Sequence, residues 1–159
     1  MAIYFIDSSA LVKRYVIEAG SRWVQSVTDP RAGHSIYMAQ ITCVEVVAAI
    51  NKRARMNEVS RSDATAAIAD FKFDLNTQYN PLEITDQIVT RAMALTELYP
   101  LRAYDAMQLA AAIEVHALGV SLGVQALGVP AAVMVSADKT LNLAALSEGL
   151  SIENPNSYP

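Results

Sequence analysis

Short apolar runs of strand-forming residues alternate with longer helical segments along this chain. The pattern predicts strands at residues 3–6, 34–38, 82–84, 132–135 and 150–152. Strands that alternate with helices form parallel sheets that are covered on both faces. The sequence therefore predicts an α/β fold, a three-layer α/β/α sandwich with a central parallel sheet. Ligands of such sheets gather at the carboxyl ends of the strands.

Helix start signals place helices between these strands. Thr42 followed by Glu45, and Ser60 followed by Asp63, have the spacing of a capping box, in which two side chains satisfy the first amides of a helix. Helices are predicted over about residues 11–16, 21–28, 42–56, 60–75, 85–99, 102–118 and 141–146.

The length and composition of the chain limit the remaining choices. The 159 residues suit a single domain over 1–159. The net charge of −4 lacks the basic signature of a protein that binds nucleic acid by bulk charge. Cys43 is the only cysteine, which excludes an internal disulfide and a thiolate zinc site. The start has no signal-peptide pattern and no stretch suits a membrane span, so we expect a cytoplasmic protein.

Acidic residues follow two of the predicted strands. Asp7 comes directly after the first strand, and Asp138 lies three residues past the fourth. Because the carboxyl ends of parallel strands share one edge of the sheet, we expect both carboxylates at that edge. Each also has a purely structural interpretation, Asp7 as a helix cap and Asp138 as a turn residue.

Two further acids lie in apolar helical segments. Asp105 is predicted inside a helix that has no fully polar face, and only Arg102 is nearby to balance it. A buried carboxylate without a partner costs several kcal/mol, so a bound cation would account for its presence most simply. Glu45 lies among apolar residues too, although it could be only the second member of a capping box. If the four acids converge, Mg²⁺ or Mn²⁺ suits the resulting all-oxygen site.

The segments that carry these acids resemble the PIN-domain family, and within it the VapC-type toxins of bacterial toxin–antitoxin pairs. The resemblance spans almost the whole chain and keeps the motif order, with matching segments at residues 4–15, 42–48, 101–110, 135–141 and 148–155. It implies an α/β/α sandwich, Mg²⁺-dependent endoribonuclease activity and a cognate antitoxin that covers the site.

The resemblance also implies roles for individual residues. Asp7 and Asp105 match the principal metal ligands, and Glu45 and Asp138 match two further acids of the site. Ser8 and Ser136 match hydroxyl positions that could hold a metal-bound water. Residues 115–129 form a longer stretch than in the shorter family members, which we expect to prolong a helix or to add a loop near the site.

Two basic segments could contact RNA phosphates. Lys13 and Arg14 are the preferred candidates because they follow Asp7 closely. The denser cluster at residues 52–61 is more simply interpreted as a solvated helix end. Exposed apolar faces on the alanine-rich helices, together with family precedent, predict a homodimer.

Two other functions remain open from the sequence. The first is a non-catalytic binding module that keeps the PIN-like fold, and the presence of all four acids argues against it. The second is an aspartate-based phosphotransfer domain, which also places an aspartate after its first strand. The dehalogenase type of that class needs a second aspartate two residues later, where this chain has Ser9.

Overall fold

Five parallel strands form one central sheet in the computed structural model of the protein, which describes residues 1–158. The spatial order is β3-β2-β1-β4-β5, and every neighbouring pair is parallel. The strands are β1 (Ile3–Ile6), β2 (Ser35–Ala39), β3 (Tyr79–Leu82), β4 (Val133–Val135) and β5 (Ser151–Glu153). The chain moves outward from β1 through β2 to β3 and then crosses to β4, so the sheet has its topological switch point between β1 and β4.

Seven α-helices connect the strands. They are α1 (Ser8–Leu11), α2 (Ser21–Val27), α3 (Thr42–Arg55), α4 (Arg61–Thr77), α5 (Asp86–Leu98), α6 (Ala103–Ser121) and α7 (Lys139–Ser147). Short 3-10 helices occupy residues 12–14, 30–32, 124–127 and 155–157. Within residues 1–158, none of the helices combines the length and the apolar character that a membrane crossing requires.

The side chains of β1 alternate between the two faces of the sheet, as the two-residue period of a strand dictates. Ile3 and Phe5 pack with α5, α6 and α7, whereas Ile6 packs with helices α1 to α4. Each face of the sheet is therefore covered by a helical layer with its own apolar core. The predicted three-layer α/β/α sandwich is confirmed.

The third strand begins three residues earlier than predicted, at Tyr79 rather than Leu82. Pro81 lies inside this strand, and proline is disfavoured in central strands because it cannot donate a ladder hydrogen bond. Since β3 is an edge strand that pairs only with β2, the missing donor can face outward. The prediction was wrong here because an edge position makes the proline acceptable.

The long segment after Asp105 lies far from the acidic edge. Helix α6 continues to Ser121, beyond the predicted end at 118, and a 3-10 turn at 124–127 follows. At 1.5 Å per residue, Ser121 is about 24 Å along the helix from Asp105. Near this end Gly119 meets the backbone of Ala131, which leaves no room for a Cβ atom. The segment prolongs the helix, which was the first of the two expected outcomes, and it adds no loop near the site.

Candidate active site

Asp7 emerges from the central strand and is only 4% exposed. Its backbone N–H donates to the carbonyl of Val135 at 3.1 Å, which places it beside the end of β4. Its carboxylate accepts hydrogen bonds from the Ser9 hydroxyl (2.8 Å), the Ala10 N–H (3.0 Å) and the Ser136 hydroxyl (2.9 Å). All three donors are neutral. Burial therefore raises the pKa of Asp7 to about 7, although these hydrogen bonds oppose the shift.

Two serines connect the ends of β1 and β4. The Ser136 hydroxyl donates to Asp7 and accepts from the backbone N–H of Asp138 at 3.0 Å. The Ser9 hydroxyl likewise donates to Asp7 and accepts from the N–H of Ala137 at 3.0 Å. This hydroxyl pair holds the two strand ends together at the switch point of the sheet.

Asp138 has a structural role at the same edge. Its carboxylate accepts from the N–H of Leu141 at 2.9 Å and so caps α7. The structural interpretation of Asp138, as a residue that starts the last helix, is thus correct. Asp7 also caps a helix, α1, through Ala10. Asp7 and Asp138 cap their helices from the edge of the sheet where ligands of such folds bind. A capping role is therefore compatible with a role in ligand binding.

Glu45 does not belong to a capping box. The N-cap of α3 is Ile41, which makes no side-chain cap hydrogen bond. The Thr42 hydroxyl instead accepts from Gln108 of α6 at 2.8 Å. The Glu45 carboxylate accepts from the same amide group at 2.8 Å. Glu45 is half-buried and its pKa is raised, mainly by burial and further by the charge of Asp105, while the Ser8 hydroxyl and Gln108 act in the opposite direction.

Asp105 lies in the first turn of α6 and not in the middle of the helix. The prediction of a mid-helix acid was wrong in this respect, and the helix dipole favours a carboxylate at this end. The side chain is nevertheless half-buried. Burial raises its pKa first and the charge of Asp138 adds to this, whereas Arg102 lowers it.

The four acids form a chain of mutually repelling neighbours. The charge of Glu45 raises the pKa of Asp7, Asp105 raises that of Glu45, and Asp138 raises that of Asp105. Within residues 1–158, no ion pair includes any of these four carboxylates. The same part of the chain holds no group of three acid, histidine or cysteine side chains arranged to hold a metal ion. The acids are electrostatic neighbours, but they do not form a ready-made ligand set.

This arrangement fits a hydrated hard cation. Mg²⁺ is commonly held through one or two carboxylates while it keeps several of its waters. An all-oxygen donor set that forms no salt bridge within residues 1–158 offers such an ion both ligands and charge compensation. The residues present therefore suit Mg²⁺ or Mn²⁺ bound partly through water.

The structure assigns Lys13 and Arg14 to internal contacts. The Lys13 side chain is buried, and its ammonium group donates to the carbonyl of Ala19 at 3.0 Å and pairs with Glu18 at 3.3 Å. The Arg14 guanidinium donates to Asp74 at 2.8 Å. Both residues lie in the 3-10 turn at 12–14. These internal contacts do not favour a role in substrate binding, which stays a prediction for both residues.

Two residues at the site were missed from the sequence. Ser9 was considered only as the wrong residue for a phosphotransfer enzyme, yet it binds both oxygens of Asp7. Gln108 was overlooked although it is a polar residue in an apolar stretch, one turn after Asp105. That interruption was the available signal. Ser8, which was predicted to hold a water, lies beside Glu45.

Taken together, the fold and this edge define a class of protein: a parallel α/β/α sandwich with carboxylates around its switch point. The family model for the PIN domain matches residues 4–122. The chain therefore belongs to the PIN-domain family. The matched range includes Asp7, Glu45 and Asp105, whereas Asp138 lies beyond it.

Curated relatives carry ribonuclease names. The chain is 28% identical over 124 residues to Ribonuclease VapC45 of Mycobacterium tuberculosis (strain CDC 1551 / Oshkosh), covering 78% of this chain and 84% of the relative. It is similar to the same extent, with the same coverage, to Ribonuclease VapC49 of Mycobacterium tuberculosis (strain ATCC 25618 / H37Rv).

Solved structures share the fold at low sequence identity. A toxin-antitoxin complex from Klebsiella pneumoniae matches with a TM-score of 0.59 at 17% identity, covering 98% of both chains. VapBC2 from Rickettsia felis, bound to a DNA fragment from its promoter, matches with a TM-score of 0.60 at 10% identity, covering 96% of this chain and 98% of that one. FitAcB from Neisseria gonorrhoeae has a TM-score of 0.58 at 12% identity, with coverage of 96% and 97%. At these identities the likeness concerns the fold alone.

Proposed function

We propose that this chain is a metal-dependent endoribonuclease and the toxin of a type II toxin–antitoxin pair. The observation that carries the proposal is the charge balance at the sheet edge. Four neighbouring carboxylates, one of them buried, form no salt bridge within residues 1–158, and the charge of Arg102 acts only on Asp105. The ribonuclease names of the curated relatives support RNA as the substrate class.

The residues at the carboxyl edge of the sheet would have different roles in metal binding. Asp7 and Asp105 would hold Mg²⁺ or Mn²⁺, with Glu45 and Asp138 as further ligands, direct or through water. Such an ion supplies an activated water and neutralises the charge that builds up on a phosphodiester. Ser136 and Ser9 fix the Asp7 carboxylate in one orientation through their hydrogen bonds. Ser8, near Glu45, would orient a water at the site.

Removal of metal, or of one acid, tests this proposal directly. Mixed RNA incubated with Mn²⁺ should be cleaved by the purified protein, and excess EDTA should stop cleavage. Asp105→Asn should lower the cleavage rate by roughly 100-fold or more, because even residues that only support metal ligands cost 10–100-fold when changed. The rate is measured with a fluorogenic RNA at several Mn²⁺ concentrations.

The matched control is Asp70→Asn, since Asp70 is an exposed aspartate of α4 outside the site. This variant should cleave RNA at the rate of the unmodified protein. If the unmodified protein leaves diverse RNAs intact with Mn²⁺ present, the chain would be a non-catalytic binding module of the PIN-like fold.

We propose that the antitoxin binds in an apolar groove next to Glu45. Helices α3 and α4 border this groove of about 410 Å³, whose lining includes Val44, Val47 and Phe71. Val44 is 70% exposed and directly precedes Glu45. Apolar grooves of this kind accept an amphipathic segment of a partner protein. An antitoxin segment in this groove would lie beside Glu45 and restrict access to the site.

The partner proposal expects a small reading frame next to this gene, and co-expression with its product is the test. The two products should co-purify, and the complex should cleave RNA at least ten times more slowly than the free protein. Ala48→Arg fills the groove from an exposed position and should abolish co-purification, whereas Ala66→Arg, on an exposed part of α4, should not. Equal capture of both variants would contradict this location. The predicted homodimer and the cytoplasmic location stay predictions.

A further inference from the structure

Gln108 connects the two helices that carry Glu45 and Asp105. It lies one turn after Asp105 on α6 and is only 2% exposed. Its amide nitrogen donates one hydrogen bond to the Thr42 hydroxyl and one to the Glu45 carboxylate, both at 2.8 Å. Thr42 and Glu45 are three residues apart and so lie on one face of α3. A single buried side chain thus spans the gap between two of the candidate acids.

The orientation of this amide is determined by its neighbours. A carboxylate only accepts hydrogen bonds, so the NH₂ group of Gln108 has to face Glu45. The carbonyl oxygen, Oε1, then points elsewhere, and it is buried without a hydrogen-bond partner in the described chain. Buried polar atoms without partners are uncommon and cost stability. Gln108 is therefore not the residue that stability alone would favour at this position.

The charge of the donor matters as much as its position. A lysine or arginine in this place would also bind Glu45, but it would neutralise the carboxylate and compete with a cation. The neutral amide holds the carboxylate near Asp105 despite their repulsion and leaves its negative charge available. The same logic applies to Asp7, whose side-chain donors are the hydroxyls of Ser9 and Ser136.

We propose that Gln108 is a positioning residue that holds the Glu45 carboxylate in place for binding the divalent cation. This inference rests on the proposed function, because it assumes that the acids bind such an ion. Residues that orient metal ligands through hydrogen bonds commonly contribute 10–100-fold to metal affinity. Gln108 acts through Glu45 and does not itself contact the reacting atoms.

Binding of Mn²⁺ without RNA provides the test. The Mn²⁺ dissociation constant, measured by calorimetry and by the rise in melting temperature with Mn²⁺ concentration, should be about 10-fold higher in Gln108→Leu. The melting temperature in EDTA should change by no more than about 3 °C, since the substitution also removes the unpartnered carbonyl. Gln125→Leu, at an exposed position far from the acids, should bind Mn²⁺ like the unmodified protein.

A double-mutant cycle separates positioning from general structural support. In Glu45→Ala there is no carboxylate to position, so adding Gln108→Leu should not weaken Mn²⁺ binding further. Equal weakening in both backgrounds, or unchanged binding by Gln108→Leu alone, would overturn the role of Gln108 while the proposed function stands. Failure of the unmodified protein to bind Mn²⁺ would overturn both.

Discussion

Asp7→Asn is expected to abolish RNA cleavage and, at the same time, to stabilise the metal-free protein at pH 8. The Asp7 carboxylate is buried among neutral donors, and its pKa of about 7 lies well above the ordinary value of 3.8 for an aspartate. Each tenfold change in an acid dissociation constant corresponds to about 1.4 kcal/mol, so ionising this group in the folded state costs up to about 4 kcal/mol. Asparagine removes the charge and keeps an oxygen that can accept from Ala10.

The sign of the pH dependence follows from this elevated pKa. Between about pH 4 and pH 7 the folded protein holds a proton on Asp7 that the unfolded chain has lost. The free energy of unfolding of the metal-free protein should therefore fall as the pH rises through this range and become constant above it. In Asp7→Asn this dependence should be absent. If the two proteins are equally stable at pH 4, the variant should thus be up to about 4 kcal/mol more stable than the unmodified protein at pH 8.

Urea unfolding in EDTA at several pH values measures these free energies, and a parallel series in Mn²⁺ measures the gain on metal binding. Mn²⁺ should stabilise the unmodified protein and leave Asp7→Asn unchanged. Asp70→Asn serves as control in both series. If Asp7→Asn were less stable in EDTA at pH 8, the three hydrogen bonds to Asp7 would outweigh the cost of burying its charge.

The features that were predicted correctly are those that depend on local patterns. The first strand was predicted with its observed bounds because a run of four apolar residues that ends at an aspartate is typical of a buried strand and too short for a helix. The parallel sheet followed from the alternation of strands and helices. Asp7 and Asp138 were placed at one edge because both follow strands, and their shared hydroxyl partner Ser136 bears this out.

The features that were missed depend on contacts between distant parts of the chain. Thr42 has the residue type and spacing of a helix cap, yet its hydroxyl binds Gln108, 66 positions away. The contact of Gln108 with Glu45 was missed for the same reason, although the polar residue in an apolar stretch marked the position as unusual. Nearness in sequence also left out a long-range contact of Arg14, which lies seven residues after Asp7 but donates to Asp74 of α4. Local patterns locate the acids, but tertiary contacts decide which polar neighbours orient them.

Breaking the contact between Arg14 and Asp74 should strongly destabilise the folded protein. Their side chains are 18% and 13% exposed. One oxygen of Asp74 accepts from Arg14 at 2.8 Å and from the Tyr15 hydroxyl at 2.7 Å, and Tyr15 in turn contacts the Tyr79 hydroxyl at 2.8 Å. Arg14 also donates to Thr28. This cluster joins the segment after α1 to α2, α4 and β3.

Asp74→Leu should lower the free energy of unfolding by about 3–5 kcal/mol, because it leaves a largely buried guanidinium without its counter-ion. The melting temperature should fall by roughly 10 °C for a chain of this size. Arg14→Leu should be damaging too, but the double variant should lose much less than the sum of the two, since it buries no unpaired charge. Thermal and urea unfolding of the four proteins measure this coupling.

The same variants decide between a structural role and RNA binding for Arg14. Because Nε and Nη1 of its guanidinium donate to Asp74 and Thr28, Arg14→Leu should cleave RNA within about threefold of the unmodified rate when assayed well below its melting temperature. Asp74→Leu, which leaves the arginine in place, is the comparison. A KM for RNA raised tenfold in Arg14→Leu but unchanged in Asp74→Leu would restore Arg14 to the substrate site, because loss of the cluster alone would affect both variants alike.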